Sequence, residues 1–274
     1  MKILFLGDVV GRPGRDAIEK YLPILKKRHA LDFVVVNGEN AAHGFGITAQ
    51  IAHDFFEMGV DCITTGNHVW DQREIKSFID KEHRLLRPAN YPKSAPGQGY
   101  CVVENAKGQK LCVINVMTQL FMMPLDNPFA ALEEVLQTQR LKTDVDAILV
   151  DVHGEATSEK QALGYFCDGF VSLVVGTHTH VPTADHRILP GGTAYQTDAG
   201  MCGCYESVLG MDKDIVLQKM VDQVPGERMR PAEGEGSICG IIVETDNETG
   251  LAKGVQPIQM GPGFASDASL HINS

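Results

Sequence analysis

Gly176-Thr177-His178-Thr179-His180 follows directly on the apolar run Phe170, Val171, Leu173, Val174 and Val175. The run reads as a buried strand, and Gly176 marks where it opens into a loop. Side chains two apart on an extended segment point to one side, so both imidazoles are expected to face the same site. Four other stretches repeat this grammar of a strand-like run closed by polar residues. Lys2 to Gly7 meets Asp8, and Leu31 to Val36 meets Asn37-Gly38-Glu39-Asn40. Val60 to Thr64 delivers Thr65-Gly66-Asn67-His68, and Val145 to Val152 delivers His153-Gly154-Glu155.

Helical patterns alternate with these runs. Ile18, Leu22 and Leu25 follow a turn at Gly11, Pro13 and Gly14, while Thr48 can cap a helix carrying Ile51, Phe55, Phe56 and Met58. Further helical stretches are Ile75 to Ile79, Pro128 to Lys142, and one opened with capping chemistry by Thr157-Ser158-Glu159-Lys160, with Leu163, Phe166 and Cys167 inward. This alternation predicts an α/β fold, a two-sheet sandwich with helices outside and binding residues at strand ends.

The connecting stretches say less. Pro88 to Gly99 suits an irregular connection, and Gly99–Val103 with Lys110–Val116 predicts a hairpin turning at Lys107-Gly108. Met117 to Asp126 reads as a partly buried loop whose Phe121, Met122 and Met123 suit core, lid or interface. Val208 to Met220 fits helix or strand, and Ser237–Thr245 with Leu251–Met260 a terminal hairpin. Residues 1–274 are expected to form a single domain, with 263–274 a frayed tail.

Bulk composition narrows the function. Apolar content of 43% is that of a globular protein, and no spanning stretch or signal-peptide core appears, so a cytoplasmic, non-membrane protein is expected. A net charge of -11 gives long nucleic acids no general attraction. The seven Cys, mostly inside apolar runs, read as buried thiols, and Cys202-Gly203-Cys204 lacks the spacing of a structural zinc site.

Asp8, Glu39, Asn40, Asn67, His68, His153, His178 and His180 thus form one candidate constellation. Oxygen and imidazole donors without thiolate suit borderline or hard divalent ions. Two carboxylates with several imidazoles and amides exceed the needs of one tetrahedral ion and suit two ions sharing a bridge. Such a centre stays net positive and attracts an anionic phosphoester despite the acidic surface. Arg12, in Gly11-Arg12-Pro13-Gly14-Arg15, is a candidate phosphate contact or simply a solvated turn residue.

Gly38-Glu39-Asn40, Gly66-Asn67-His68, His153-Gly154 and Gly176-Thr177-His178-Thr179-His180, in this order, resemble the motif series of the calcineurin-like metallophosphoesterases. With Gly7-Asp8-Val9-Val10-Gly11-Arg12-Pro13-Gly14, the chain looks most like the YmdB-type bacterial phosphodiesterases over nearly its whole length. The resemblance implies that Glu39 bridges two ions. Asp8, His180 and Asn40 then hold one, and Asn67, His153 and His178 the other. It also implies action on 2',3'- or 3',5'-cyclic mononucleotides, with iron or manganese bound and zinc as an alternative. A metal-bound hydroxide would attack phosphorus, and His68 would protonate the leaving oxygen. The wider superfamily's first motif is Asp-x-His, but Val10 stands third here, and its usual bridging Asp is Glu39. These departures make one shell more oxygen-rich.

Several alternatives stay open at this level. Asp8 also fits a helix cap, and His68 an acid, a substrate binder or an orienting residue. A phosphomonoesterase or RNA-end phosphoesterase would use the same ions. So would a metal-stabilised regulatory protein with vestigial activity, binding a protein partner. A homo-oligomer is equally compatible with the sequence.

Overall fold

Lys2–Leu6 is apolar beyond its first residue because the fold buries both of its faces. In the computed structural model, which describes residues 1–224 and 226–264, this strand (β1) points Ile3 and Phe5 one way and Leu4 and Leu6 the other. The first half of the chain continues with β2 (Asp8–Val9), α1 (Gly11–His29), β3 (Phe33–Asn37), α2 (Ala49–Glu57), β4 (Cys62–Thr64), α3 (Ile75–Phe78), β5 (Tyr100–Glu104) and β6 (Lys110–Met117). The second half contains α4 (Pro128–Leu136), β7 (Ala147–His153), α5 (Thr157–Phe166), β8 (Leu173–Thr177), β9 (Arg187–Ile188), β10 (Ala194–Gln196), β11 (Met201–Cys202), α6 (Lys213–Asp222), β12 (Ile238–Thr245) and β13 (Ala252–Met260).

The strands form a five-stranded sheet in the order β13-β12-β1-β3-β4 and a six-stranded sheet in the order β5-β6-β7-β8-β10-β9. A two-stranded pair of β2 and β11 stands beside them. Between the large sheets lie Ile3, Phe5, Phe33 and Val35 from one and Leu111, Val113, Leu149 and Val175 from the other. The alternate residues pack outward. Leu4, Leu6, Val34 and Val36 meet Ile18, Leu22 and Leu25 of α1 and Phe55 of α2, while Ile148, Val150 and Val174 meet Leu132 of α4 and Leu163 of α5. Strands covered on both faces must be apolar throughout, which is why these runs show no polar alternation. The predicted two-sheet α/β sandwich with outer helices is the fold observed.

Parallel pairing aims the functional loops. β1, β3 and β4 run parallel, as do β6, β7, β8 and β10, so each set presents its C-terminal ends together. Between the sheets β1 and the turn before β11 come close: a Cβ on Gly7 would lie 1.9 Å from the Gly200 carbonyl oxygen, so only glycine fits.

Local expectations fare unevenly. Thr48 caps α2, its hydroxyl accepting from the Ile51 N–H at 3.2 Å, and both predicted hairpins form. The Gly11–Gly14 stretch is no separate turn but the start of α1, where a proline's missing N–H goes unmissed. α4 stops at Leu136, short of Lys142. No side chain caps α5; Glu159 instead accepts from the Gln119 and Leu120 N–H groups. Phe166, expected inward, is exposed. Val208 to Met220 becomes a tight turn followed by α6, whose N-terminus Asp212 caps by accepting from Asp214 and Ile215.

The 117–126 stretch is largely outward, with Phe121 89% exposed. All seven Cys are free and buried. Among the described residues no helix is long and apolar enough to cross a membrane. The expected frayed tail lies, from residue 265 onward, outside the described residues.

Candidate metal centre

The expected donors stand at or just beyond the C-terminal ends of β1, β3, β4, β7 and β8. Asp8 follows β1; its N–H donates to Gly200 O at 3.1 Å, and its Oδ2 accepts from the His178 N–H at 3.0 Å. Glu39 and Asn40 follow β3, in a turn closed by the Glu39 N–H donating to Asn37 Oδ1 at 3.0 Å. Asn67 and His68 follow β4, His153 ends β7, and His178 and His180 follow β8.

The donors gather in two adjoining groups. Nε2 of His153 lies 3.1 Å from Glu39 Oε1, 3.0 Å from Asn67 Oδ1 and 3.1 Å from His178 Nδ1. Glu39, His153 and His178 offer ligand atoms within 4.8 Å of one another, the spacing of a metal-binding triad. Beside it, His180 Nε2 lies 3.2 Å from Asn40 Oδ1 and 3.9 Å from Asp8 Oδ1.

Hydrogen bonding behind the imidazoles sets which nitrogen faces inward. The Thr177 hydroxyl donates to Asp151 Oδ1 at 2.7 Å, so it accepts from Nδ1–H of His153 at 2.9 Å. That leaves the lone pair of His153 Nε2 facing the triad. Likewise His180 Nδ1–H donates to Leu209 O at 2.9 Å, turning the Nε2 lone pair toward Asn40. Asn40 spends its own N–H on Gly44 O at 2.9 Å, so its carbonyl oxygen faces His180. At His153 Nε2 with Asn67 Oδ1, and at His180 Nε2 with Asn40 Oδ1, electron pairs thus oppose one another at about hydrogen-bond distance.

Two buried carboxylate oxygens, Asp8 Oδ1 and Glu39 Oε2, have no hydrogen-bond partner. Convergent lone pairs and orphaned anionic oxygens fit a divalent cation, and the oxygen and imidazole set is its usual chemistry.

The electrostatics agree. Burial pushes Glu39 up to about 7, against the opposing pull of His68 and His180. Burial, reinforced by Asp198 and Glu39, raises Asp8 well above the ordinary carboxylate range. Burial drives His178 down to about 3, with His153 and His180 adding to the effect, and holds His153 well below its usual value, with Lys160 next in weight. The imidazoles are therefore neutral and ligand-competent, and the carboxylates need a compensating cation.

One expectation is corrected. β8 ends at Thr177, and His178 and His180 take φ of 97° and 64°, so the pair does not share one face of an extended segment. The left-handed turns send His178 to the triad and His180 to the neighbouring group. Such backbone is costly outside glycine and persists only where its surroundings hold it.

His68 stands at the mouth, Nδ1 facing Asp71 Oδ2 at 2.8 Å and its ring edge-on to Phe45. Arg12 is not brought to the donors. Its side chain is exposed and pairs with Asp16 at 3.4 Å, in a cleft shared with Arg15, His43 and Arg230. Sequence reasoning also missed Asp71, Asp151, Thr177 and Glu155, whose Oε2 lies 3.4 Å from His178 Nε2. Asp71, three residues after His68, and Thr177 and Glu155, beside the histidines, left a local signal; Asp151, inside an apolar run, did not.

Residues 4–258 match the family model described as YmdB-like protein. Over 258 residues the chain is 47% identical to the 2',3'-cyclic-nucleotide 2'-phosphodiesterase of Bacillus subtilis (strain 168), covering 94% of this chain and 96% of that one. A crystal structure of a hypothetical protein from Thermus thermophilus is similar at a TM-score of 0.87 and 40% identity, over 95% of this chain and 99% of that one. The crystal structure of a novel phosphatase of Mycoplasma pneumoniae is similar at a TM-score of 0.87 and 36% identity, over 95% of this chain and 93% of that one.

Proposed function

From the premise that the chain belongs to the YmdB-like protein family of calcineurin-like phosphoesterases, and is a metal-dependent phosphoesterase, we propose that it hydrolyses small cyclic nucleotides at a two-ion centre. The observation that carries this reading is the convergence of Glu39, Asn67 and His178 on His153 Nε2 at 3.0–3.1 Å, with Asp8, Asn40 and His180 alongside. The second group supports a second ion, with Glu39 as the bridge. Iron or manganese suits the oxygen-rich donors. When bound, the ions supply charge stabilisation and an activated water for in-line displacement.

The chain's own residues do the rest. Asp151, through Thr177, fixes His153, and the Leu209 carbonyl fixes His180, so these two imidazoles are held with Nε2 toward the other donors. Asp71 accepts from Nδ1 of His68 and leaves Nε2 as the position that delivers a proton to the leaving ribose oxygen. The 2',3'-cyclic monophosphates come first among substrates, because the Bacillus subtilis relative bears that activity in its name.

The name of the Mycoplasma pneumoniae relative favours a second reading, a phosphomonoesterase at the same ions. Steady-state rates of the manganese-loaded protein on 2',3'-cyclic AMP, 3',5'-cyclic AMP and 3'-AMP decide between them. The proposal expects multiple turnovers on a cyclic diester and a lower kcat/KM on the monoester. The reverse order overturns it.

A further inference from the structure

Lys160 and Asp198 form an ion pair at 2.8 Å, both side chains 1% exposed, and neither belongs to the donor set. A buried pair of this kind bears a large desolvation penalty and is weak evidence of stability for its own sake. Its surroundings suggest another role.

Oδ2 of Asp198 accepts from Lys160 Nζ, from the Thr179 N–H at 3.1 Å and from the Thr179 hydroxyl at 2.8 Å. Thr179 is the residue between His178 and His180, both in left-handed backbone. Oδ1 of Asp198 accepts from the Gly200 N–H at 2.9 Å, and Gly200 O in turn accepts from the Asp8 N–H at 3.1 Å. One carboxylate therefore grips the two-histidine turn with one oxygen and the segment that seats Asp8 with the other. Lys160 balances its charge from α5, beneath a buried centre that already contains Asp8 and Glu39.

We propose that Asp198, held by Lys160, is a positioning residue for the metal centre, locking the His178–Thr179–His180 turn and Asp8 into one ligand-ready arrangement. The inference rests on the metal-centre reading above. Asp198 touches no reacting atom; it acts through Thr179 and Gly200.

The test is Mn2+ binding to the metal-stripped protein, read from the electron paramagnetic resonance signal of free Mn2+, with thermal unfolding in EDTA as the fold check. Asp198→Asn and Lys160→Met are expected to weaken Mn2+ binding about tenfold or more. Val135→Ala, a core truncation on α4, is expected to lower the melting temperature without moving Mn2+ affinity. Should a single variant fail to fold, Lys160→Met/Asp198→Leu decides, because removing both charges spares the core an unpaired ion. That double variant is expected to fold and to bind Mn2+ at least tenfold more weakly. Affinity within twofold of wild type in folded Asp198→Asn, or in the double variant, overturns the proposal while wild-type binding leaves the metal reading intact. Wild-type protein that binds no Mn2+ overturns the metal reading, and this inference with it.

Discussion

Nδ1 of His68 lies 2.8 Å from Oδ2 of Asp71 at the rim of a centre whose carboxylates are wholly buried. The His68 side chain is 28% exposed and its ring pairs with Asp71 and not with the donor group, so on the proposed reading substrate meets it without disturbing the ligands. Replacing His68 by Asn should lower kcat on 2',3'-cyclic AMP by about 10²–10³ while metal content stays at the wild-type level. Asp71→Asn should give a smaller fall in kcat, again with metal retained. Parallel kinetics and elemental analysis check both; metal loss in His68→Asn would make the residue a ligand.

Metal affinity should depend on pH through Glu39. Burial raises its carboxyl to about 7, so below that pH a proton occupies the oxygens that a cation needs. Affinity should therefore fall as pH drops below 7, by about tenfold per unit for one competing proton, and level off above it. Asp8, raised in the same direction, steepens the fall. His178, at about 3, stays neutral throughout and adds nothing. Mn2+ titrations between about pH 5.5 and 8 measure the slope.

Gly66 should tolerate no side chain. A Cβ there would lie 2.0 Å from Glu39 Oε2 and 2.2 Å from His153 Cδ2. Gly66→Ala is expected to reduce metal binding by at least about tenfold, because the methyl group displaces two members of the triad. Calorimetric titration with Mn2+, alongside a melting curve, separates this loss from unfolding.

Asp32 offers a test away from the centre. Burial raises its carboxyl, but the Lys107 ammonium and the Lys2 N–H outweigh that and hold it below 3.8. A depressed carboxyl stabilises the fold above its unfolded value, and that stability is lost as pH falls through the folded one. Asp32→Asn should cost about 1 kcal/mol at pH 7, and the difference should shrink below pH 3.8. Urea unfolding at both ends of this range measures it.

The strands and their cargo were legible because both rest on local rules. Val34 to Val36 and Leu149 to Val152 are largely apolar, since helices cover one face and the opposite sheet the other. The donors stand where such runs stop, so their types and order announced the site. Backbone turned by tertiary contact was not legible. Nothing local forces His178 and His180 into positive φ; Asp198, distant in sequence, holds the residue between them. For the same reason Asp151, inside an apolar strand, and Lys160, on a helix, gave no sign of their buried partners Thr177 and Asp198. Arg12 was singled out for its glycine-rich setting, yet the first turn of α1 carries it to the surface.

The central claim, a two-ion phosphodiesterase, is tested most directly by following turnover of 2',3'-cyclic AMP as metal-stripped protein is titrated with Mn2+, with Glu39→Gln in parallel. The account predicts multiple turnovers that reach their full rate at two equivalents per chain and are absent in Glu39→Gln. Full activity at one equivalent would contradict the two-ion centre, and undiminished turnover in Glu39→Gln would contradict the role given to the bridge.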